Sequence, residues 1–183
     1  MVVFRRTYFS TRFFSFSHRQ LQDSRPEGSA SEAGVEGPRK YLIGGNWKCF
    51  GTWDENDDRI AVFNDAGPIP ANVEVALCVP YLNIPQVLMG LRKDIAVGAQ
   101  NCGVNEKDGA FTGEIGSHQL KAAGVVWVII GHSERRVGFG MAGEPEDLCA
   151  KKCKVAIDSG LKVMFVSDLQ LSRRDEFFST KKK

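Results

Sequence analysis

The chain has 183 residues, of which 43% are apolar and 25% are charged, and its formal net charge is +2. These proportions are ordinary for a globular protein with one core, and so small a net charge does not indicate a nucleic-acid partner. No apolar run in the sequence approaches the roughly 20 residues of a membrane span, so we expect no membrane-spanning helix.

The N-terminal segment differs in composition from the rest of the chain. Residues 1–22 are rich in Arg, Ser and Phe, and the first acidic residue is Asp23. An Arg-rich, Ser-rich and acid-poor start is typical of an organelle transit peptide. It predicts a mitochondrial protein, with a plastid as the alternative, and a cytoplasmic one if the segment is only a disordered tail or a mistranslated leader.

Residues 23–39 are rich in Gly, Ser, Pro and Glu, a composition that predicts a linker without a core. We therefore expect three parts: a transit peptide with a disordered linker over 1–39, a folded domain over 40–166, and a divergent charged tail over 167–183.

Five apolar runs recur along the folded domain. Most are continuous rather than alternating, which is typical of strands buried on both faces of a parallel sheet. The runs are residues 41–47, 73–80, 94–102, 125–132 and 161–167.

Helical patterns separate these runs, at residues 53–67, 83–94, 116–124 and 143–160. The clearest has Pro145 in its first turn, acids before lysines, and Gly160 at its end. Alternating strands and helices predict an α/β fold, either an open doubly wound sheet or a closed barrel. The glycine fingerprints of dinucleotide-binding sheets and P-loops are absent from the sequence after the first strand.

Five cysteines, an odd number, occur without a Cys-x-x-Cys pair. Cys149 and Cys153 are one helical turn apart, but no histidine stands near them in sequence. We therefore expect reduced cysteines in an intracellular compartment and no metal site.

Polar residues follow three of the predicted strands where barrel enzymes keep their active sites: Asn46 and Lys48, Gln100 and Asn101, and His132 and Glu134. Lys48 follows the first strand, where its ammonium could bind a phosphate or a developing oxyanion, or could simply be solvated. His132 leaves the fourth strand at the start of a helical turn, where the helix dipole favours a neutral imidazole; it could equally be a structural cap. Glu134 could orient the lysine, shuttle protons, or pair with Arg135 or Arg136.

Three motifs occur in a fixed order: "GGNWKC" after the first strand, "AQNCGVNEKDGAFTGEIG" after the third, and "WVIIGHSERR" on the fourth. Together they resemble the triosephosphate isomerase family over residues 41–166. The resemblance implies a partial (β/α)8 TIM barrel with about five parallel strands and four helices. It also implies the interconversion of dihydroxyacetone phosphate and D-glyceraldehyde 3-phosphate in glycolysis and gluconeogenesis, without a metal or organic cofactor.

The resemblance also assigns roles to individual residues. Lys48, His132 and Glu134 match catalytic positions, and Asn46, Lys48 and Ser133 match substrate-binding ones. His132 corresponds to the histidine that polarises the substrate carbonyl. Its neutral state is an established property of triosephosphate isomerases and comes with the resemblance.

The segment from Cys102 to Glu114 resembles the family's protruding loop, which inserts into a neighbouring subunit. The resemblance therefore implies a homodimer, with Thr112 near the partner's site and an ion pair between Glu114 and Arg135. A long solvated turn would have a similar composition.

The sequence also departs from the family, whose barrel needs eight βα units in about 250 residues. Residues 1–183 contain no Glu-Pro-x-Trp segment, which carries the family's catalytic glutamate, and none of its glycine-rich phosphate loops. We therefore expect a truncated product that is weakly active or inactive alone. The alternatives are a non-catalytic fragment that pairs with full-length subunits and, by a chance match of all three motifs, an unrelated phosphate-binding barrel.

Overall fold

The computed structural model describes residues 40–167, all within one compact unit, Pro38–Lys183. The expected transit peptide and linker, and the expected tail beyond Ser167, lie outside the described residues. Within them, no helix is long and apolar enough to cross a membrane.

Five parallel strands form one sheet in the order β1-β2-β3-β4-β5. Each strand pairs with the next one along the chain. The segment that connects two paired strands contains at least one helix in every case. The α/β class and the partial (β/α)8 barrel predicted from sequence are confirmed. The strands are β1 (Tyr41–Asn46), β2 (Val73–Val79), β3 (Ile95–Ala99), β4 (Trp127–Ile130) and β5 (Lys162–Phe165).

The described residues form five α-helices, not the four expected. The additional helix is the short turn after His132, which the sequence indicated only as a helical turn. Two 3-10 turns, Tyr81–Asn83 and Gly138–Gly140, adjoin helices. The helices are α1 (Trp53–Asp65), α2 (Ile84–Gly90), α3 (Ser117–Ala122), α4 (Ser133–Val137) and α5 (Glu146–Asp158).

The core lies between the central strands and the helices packed on them. Its largest fully buried aliphatic residues come from β2, β4, α2 and the connection before β4: Val79, Val87, Val125, Val128 and Ile130. The first strand is far more exposed, since Tyr41 and Ile43 keep 70% and 58% of their surface accessible. Because all five strands are parallel, the buried central strands and the exposed edge strand β1 have their carboxyl ends on the same side of the sheet.

Candidate active site

The chain turns sharply where β1 ends. The backbone N–H of Trp47 continues the sheet ladder by donating to the Cys78 carbonyl at 2.9 Å. Lys48 then adopts a left-handed backbone conformation with φ +56°, which is uncommon for a residue with a side chain. Its N–H donates to Asn46 Oδ1 at 2.9 Å, so the asparagine forms a local turn around the lysine. Asn46 therefore helps to shape the backbone at this strand end.

The segment after Lys48 leads directly into α1. Gly51 has φ +113°, and a Cβ atom there would lie 2.2 Å from Asn56 Oδ1, so the turn requires glycine. Thr52 caps the helix by accepting from the Glu55 N–H, while the Glu55 side chain accepts from the Thr52 N–H. The lysine thus lies in the short connection between a strand end and a capped helix.

His132 occupies the corresponding position after β4. Gly131 precedes it with φ +76°, where a Cβ atom would lie 2.8 Å from the Val166 carbonyl oxygen. His132 is the N-cap of α4, and its Nδ1 accepts from the Glu134 N–H at 3.2 Å. The helix ends at Val137, and its C-cap residue, Gly138, is left-handed. The histidine ring is therefore oriented by the helix that it caps.

The side chains of Lys48, His132 and Glu134 meet between the two strand ends. Lys48 Nζ is 3.0 Å from His132 Nε2 and 2.8 Å from Glu134 Oε1. The hydrogen bond from the ammonium holds the pKa of Glu134 below its usual range. This ion pair is exposed to solvent and adds little to folding stability, so its main effect is to orient the lysine.

Each nitrogen of the His132 ring faces a hydrogen donor. Nδ1 faces the Glu134 amide, and Nε2 faces the Lys48 ammonium; Glu134 Oε2 is farther, at 3.4 Å from Nδ1. In a neutral ring that accepts from the amide at Nδ1, the hydrogen is on Nε2. Nε2–H and the Lys48 ammonium are then both donors and cannot satisfy each other. An acceptor oxygen placed near Nε2 and Nζ would then receive two hydrogen bonds.

These side chains line a cavity of about 230 Å³. Of the residues predicted from sequence, the structure brings Asn46, Lys48, His132 and Glu134 to it. Ser133, the first residue of α4, is exposed and does not line the cavity. Gln100 and Asn101 also line it; the sequence predicted them only as polar residues at a strand end, without a role. The remaining lining residues were not predicted as site residues; they are Cys49, Pro80, Tyr81, Arg135 and Phe139.

Arg135 pairs with Glu144, and the expected ion pair between Arg135 and Glu114 is not formed within the described chain. Glu144 also accepts from Lys152 Nζ at 2.7 Å, and Lys152 donates to Asn101 Oδ1 at 3.1 Å. Burial opposes the charged carboxylate, but the hydrogen bonds from Arg135 and Lys152 outweigh it and lower the pKa of Glu144. This buried network links α4 to α5.

A sequence signal for the network existed in α5. Lys152 is three residues after Cys149 and four before Ala156, so it lies on the apolar face of that helix. A lysine is buried there only with a counterion, which predicts an acidic partner nearby.

The loop from Cys102 to Glu114 starts from a buried residue and then becomes exposed. Gly103 N–H donates to the Ile115 carbonyl at 2.7 Å, which closes the base of the loop. His118 Nε2 lies 2.8 Å from Asp108 Oδ1. Phe111, Thr112 and Glu114 near the end of the loop are exposed.

The five cysteines are free thiols, and the described residues 40–167 contain no group of three or more potential metal ligands. Burial raises the pKa of Cys78 to about 12 and that of Cys102 to about 11, so both thiols are protonated at neutral pH. Neither thiol is therefore a ready nucleophile.

Comparison with known proteins gives a consistent result. The family model for triosephosphate isomerase matches residues 41–178. Cytosolic triosephosphate isomerase of Oryza sativa subsp. japonica is 42% identical over 139 residues, which are 75% of this chain and 53% of that protein. The chloroplastic triosephosphate isomerase of Arabidopsis thaliana is 39% identical over 169 residues, or 88% and 52% of the two chains. The corresponding protein of Fragaria ananassa is 38% identical over 160 residues, or 87% and 49%. The chain thus spans about half the length of the curated relatives that it matches.

Proposed function

The chain belongs to the triosephosphate isomerase family, and from this premise we propose that it carries the lysine–histidine part of a triose-phosphate isomerase site. The proposed reaction interconverts dihydroxyacetone phosphate and D-glyceraldehyde 3-phosphate. The observation that carries the proposal is the 3.0 Å contact between Lys48 Nζ and His132 Nε2 at the carboxyl ends of β1 and β4.

Each side chain has a role that follows from its contacts. Lys48 brings a positive charge to the substrate phosphate and to the enediolate that forms in the reaction. Nε2–H of His132 donates to the carbonyl oxygen, which polarises the carbonyl. Glu134 holds the ammonium at 2.8 Å, and Asn46 shapes the backbone that presents it. We assign Ser133 only a place in the turn that presents His132, because it does not line the cavity.

The proposed reaction also needs a carboxylate base that removes the proton next to the carbonyl carbon. Residues 1–183 contain no Glu-Pro-x-Trp segment to supply it. General-base catalysis typically contributes about 10²–10⁴-fold to rate, so we propose that the 183-residue chain alone turns over slowly or not at all. Its rate in a coupled assay should be below that of a complete isomerase by at least that factor.

We further propose a homodimer formed through residues 102–114. Support comes from the exposure of Phe111, which keeps 49% of its surface accessible near the end of the loop. Sedimentation analysis should find a dimer that Phe111→Asp dissociates, whereas Phe50→Asp, at a comparably exposed phenylalanine, leaves it intact. A monomer at all concentrations would contradict this proposal.

A second candidate is a non-catalytic chain that pairs with full-length subunits through the same loop, whose base is closed by the hydrogen bond from Gly103 N–H to the Ile115 carbonyl. Sequencing the mature transcript beyond codon 166 distinguishes the two candidates. Continuation into a strand followed by Glu-Pro-x-Trp supports the enzyme, and a stop codon supports the pairing chain.

For the compartment we propose a plastid or the cytoplasm, since the relatives include chloroplastic and cytosolic proteins. They give the expected mitochondrial destination no support. A fluorescent fusion of residues 1–40 that enters plastids would support a transit peptide. A fusion that stays in the cytosol would contradict the prediction of a transit peptide.

The experiment that tests the proposed function is a titration of the ¹⁵N-labelled chain with dihydroxyacetone phosphate. Saturable shifts at residues around the cavity are expected, and Lys48→Met should weaken binding by about 10–100-fold, the usual worth of a charged hydrogen bond. Unphosphorylated dihydroxyacetone should not saturate the site.

The matched control is Lys151→Met, because this lysine on α5 is exposed and lies away from the cavity. Equal affinity in the wild-type chain and both variants would contradict the proposed function, as would equal shifts with the phosphorylated and unphosphorylated ligands.

A further inference from the structure

Gln100 directly follows β3 and lines the cavity, yet neither its contacts nor its role were predicted from sequence. Its side-chain amide Nε2 donates to the Lys48 carbonyl at 2.8 Å and to the Cys78 carbonyl at 3.3 Å. Cys78 belongs to β2, which lies between β1 and β3. One side chain therefore reaches from the third strand, across the second, to the turn after the first.

The residue that receives this hydrogen bond has an unfavourable backbone conformation. Lys48 has φ +56°, and a residue with a Cβ atom stays in this region only where its surroundings hold it. Its N–H is bound by Asn46 Oδ1, and its carbonyl is bound by Gln100. The peptide groups on both sides of the residue are thus fixed by side-chain amides.

We infer that Gln100 is a positioning residue that keeps Lys48 in its left-handed conformation and so holds the ammonium against His132. The inference rests on the proposed function, in which Lys48 binds the substrate. If the carbonyl were released, Lys48 would relax toward negative φ, which changes the direction of its Cα–Cβ bond. The ammonium would then lose its contact with His132 Nε2.

The chemistry of the position favours glutamine over similar residues. Both amide N–H groups are used, one on each carbonyl. Glutamate would turn acceptor oxygens toward two carbonyl oxygens, and methionine would fill a similar volume without a donor. These substitutions remove the hydrogen bonds while keeping side-chain size.

The test compares Gln100→Met with the wild-type chain by ¹⁵N NMR of the His132 ring, without ligand. Because Nε2 faces the ammonium, its chemical shift should move toward the value found in Lys48→Met. Affinity for dihydroxyacetone phosphate should fall by about tenfold, the usual cost of losing one charged contact. The same substitution at Gln119, whose Oε1 accepts from the Gly116 N–H at the start of α3, should change neither readout.

The positioning role of Gln100 is overturned if the His132 shifts of Gln100→Met equal those of the wild-type chain, or if Gln119→Met changes these shifts equally. Where Gln100→Met does not fold, Gln100→Glu serves the same comparison and should also displace the Nε2 shift. If the wild-type chain binds no dihydroxyacetone phosphate, the proposed function fails, but the ligand-free ring shifts still decide the role of Gln100.

Discussion

The two sides of the candidate site are attached to very different strands. His132 follows β4, whose last three residues are buried, whereas Lys48 follows β1, whose first four residues are exposed. The buried strand holds its histidine through packing, and the exposed strand depends on hydrogen bonds from its neighbours. The lysine side of the site is therefore fixed by amide side chains, whereas the histidine side is fixed by the core.

Polar contacts occur on both sides, but only the histidine side has them in addition to a buried strand. On the histidine side, Arg136 Nε donates to the Gly131 carbonyl at 2.8 Å, and α4 is joined to α5 through Glu144. On the lysine side, Asn83 donates to the Gly51 carbonyl at 3.3 Å, and Gln100 binds Lys48 itself. Substitutions on the two sides should therefore have unequal effects.

The largest effect is expected from Glu144→Gln, on the histidine side. The substitution leaves the buried Lys152 ammonium without a counterion, and breaking such a pair costs about 3–5 kcal/mol of unfolding free energy. Urea denaturation measures the loss. The control is Asp147→Asn, in an exposed pair with Lys151, which should change stability by no more than about 0.5 kcal/mol. Equal losses in the two variants would contradict the account.

The same network predicts a pH dependence. The folded-state pKa of Glu144 is lower than its ordinary value of 4.5, so the charged group stabilises the fold above that pH. The contribution is lost as pH falls through the folded-state pKa. The stability difference between the wild-type chain and Glu144→Gln should therefore be largest near neutral pH and shrink below 4.5. A difference independent of pH would show that the carboxylate charge does not matter.

A direct comparison of the two strands uses the same substitution on each. Ile130→Ala on β4 removes a fully buried side chain and should cost about 2–5 kcal/mol, including the cavity that it leaves. Ile43→Ala on β1 removes a side chain that is 58% exposed and should cost no more than about 0.5 kcal/mol. Chemical unfolding of both variants provides the test, and similar losses would remove the distinction between the strands.

A smaller loss than those of Glu144→Gln and Ile130→Ala is expected at Thr52, which caps α1 just beyond the lysine turn. Thr52→Ala should destabilise the chain by about 1 kcal/mol, because the Glu55 N–H loses its acceptor. Thr52→Ser keeps the hydroxyl and should restore most of the stability in thermal unfolding. Full stability of the alanine variant would show that this cap contributes nothing to the lysine side.

Much of this fold could be predicted from the sequence because most strands are continuous apolar runs and helical patterns separate the five runs. The ordered motifs also placed Lys48 and His132 at strand ends. The short α4 could not be recognised as a separate helix, since its five residues are too few for a periodic pattern.

The missing parts of the prediction depend on three-dimensional contacts. Gln100 matters because Lys48 is left-handed, and no local signal predicts positive φ at a lysine. Glu144 lies in the segment before α5, and only the fold brings it between Arg135 and Lys152. These residues determine how the site is held, which a motif does not describe.

The most direct test of the central claim is a crystal structure of the chain with dihydroxyacetone phosphate. The ligand should lie in the cavity between β1 and β4, with its oxygens within hydrogen-bonding distance of both Lys48 Nζ and His132 Nε2. A ligand bound elsewhere, or a structure in which these two nitrogens are too far apart to contact one small molecule, would contradict it.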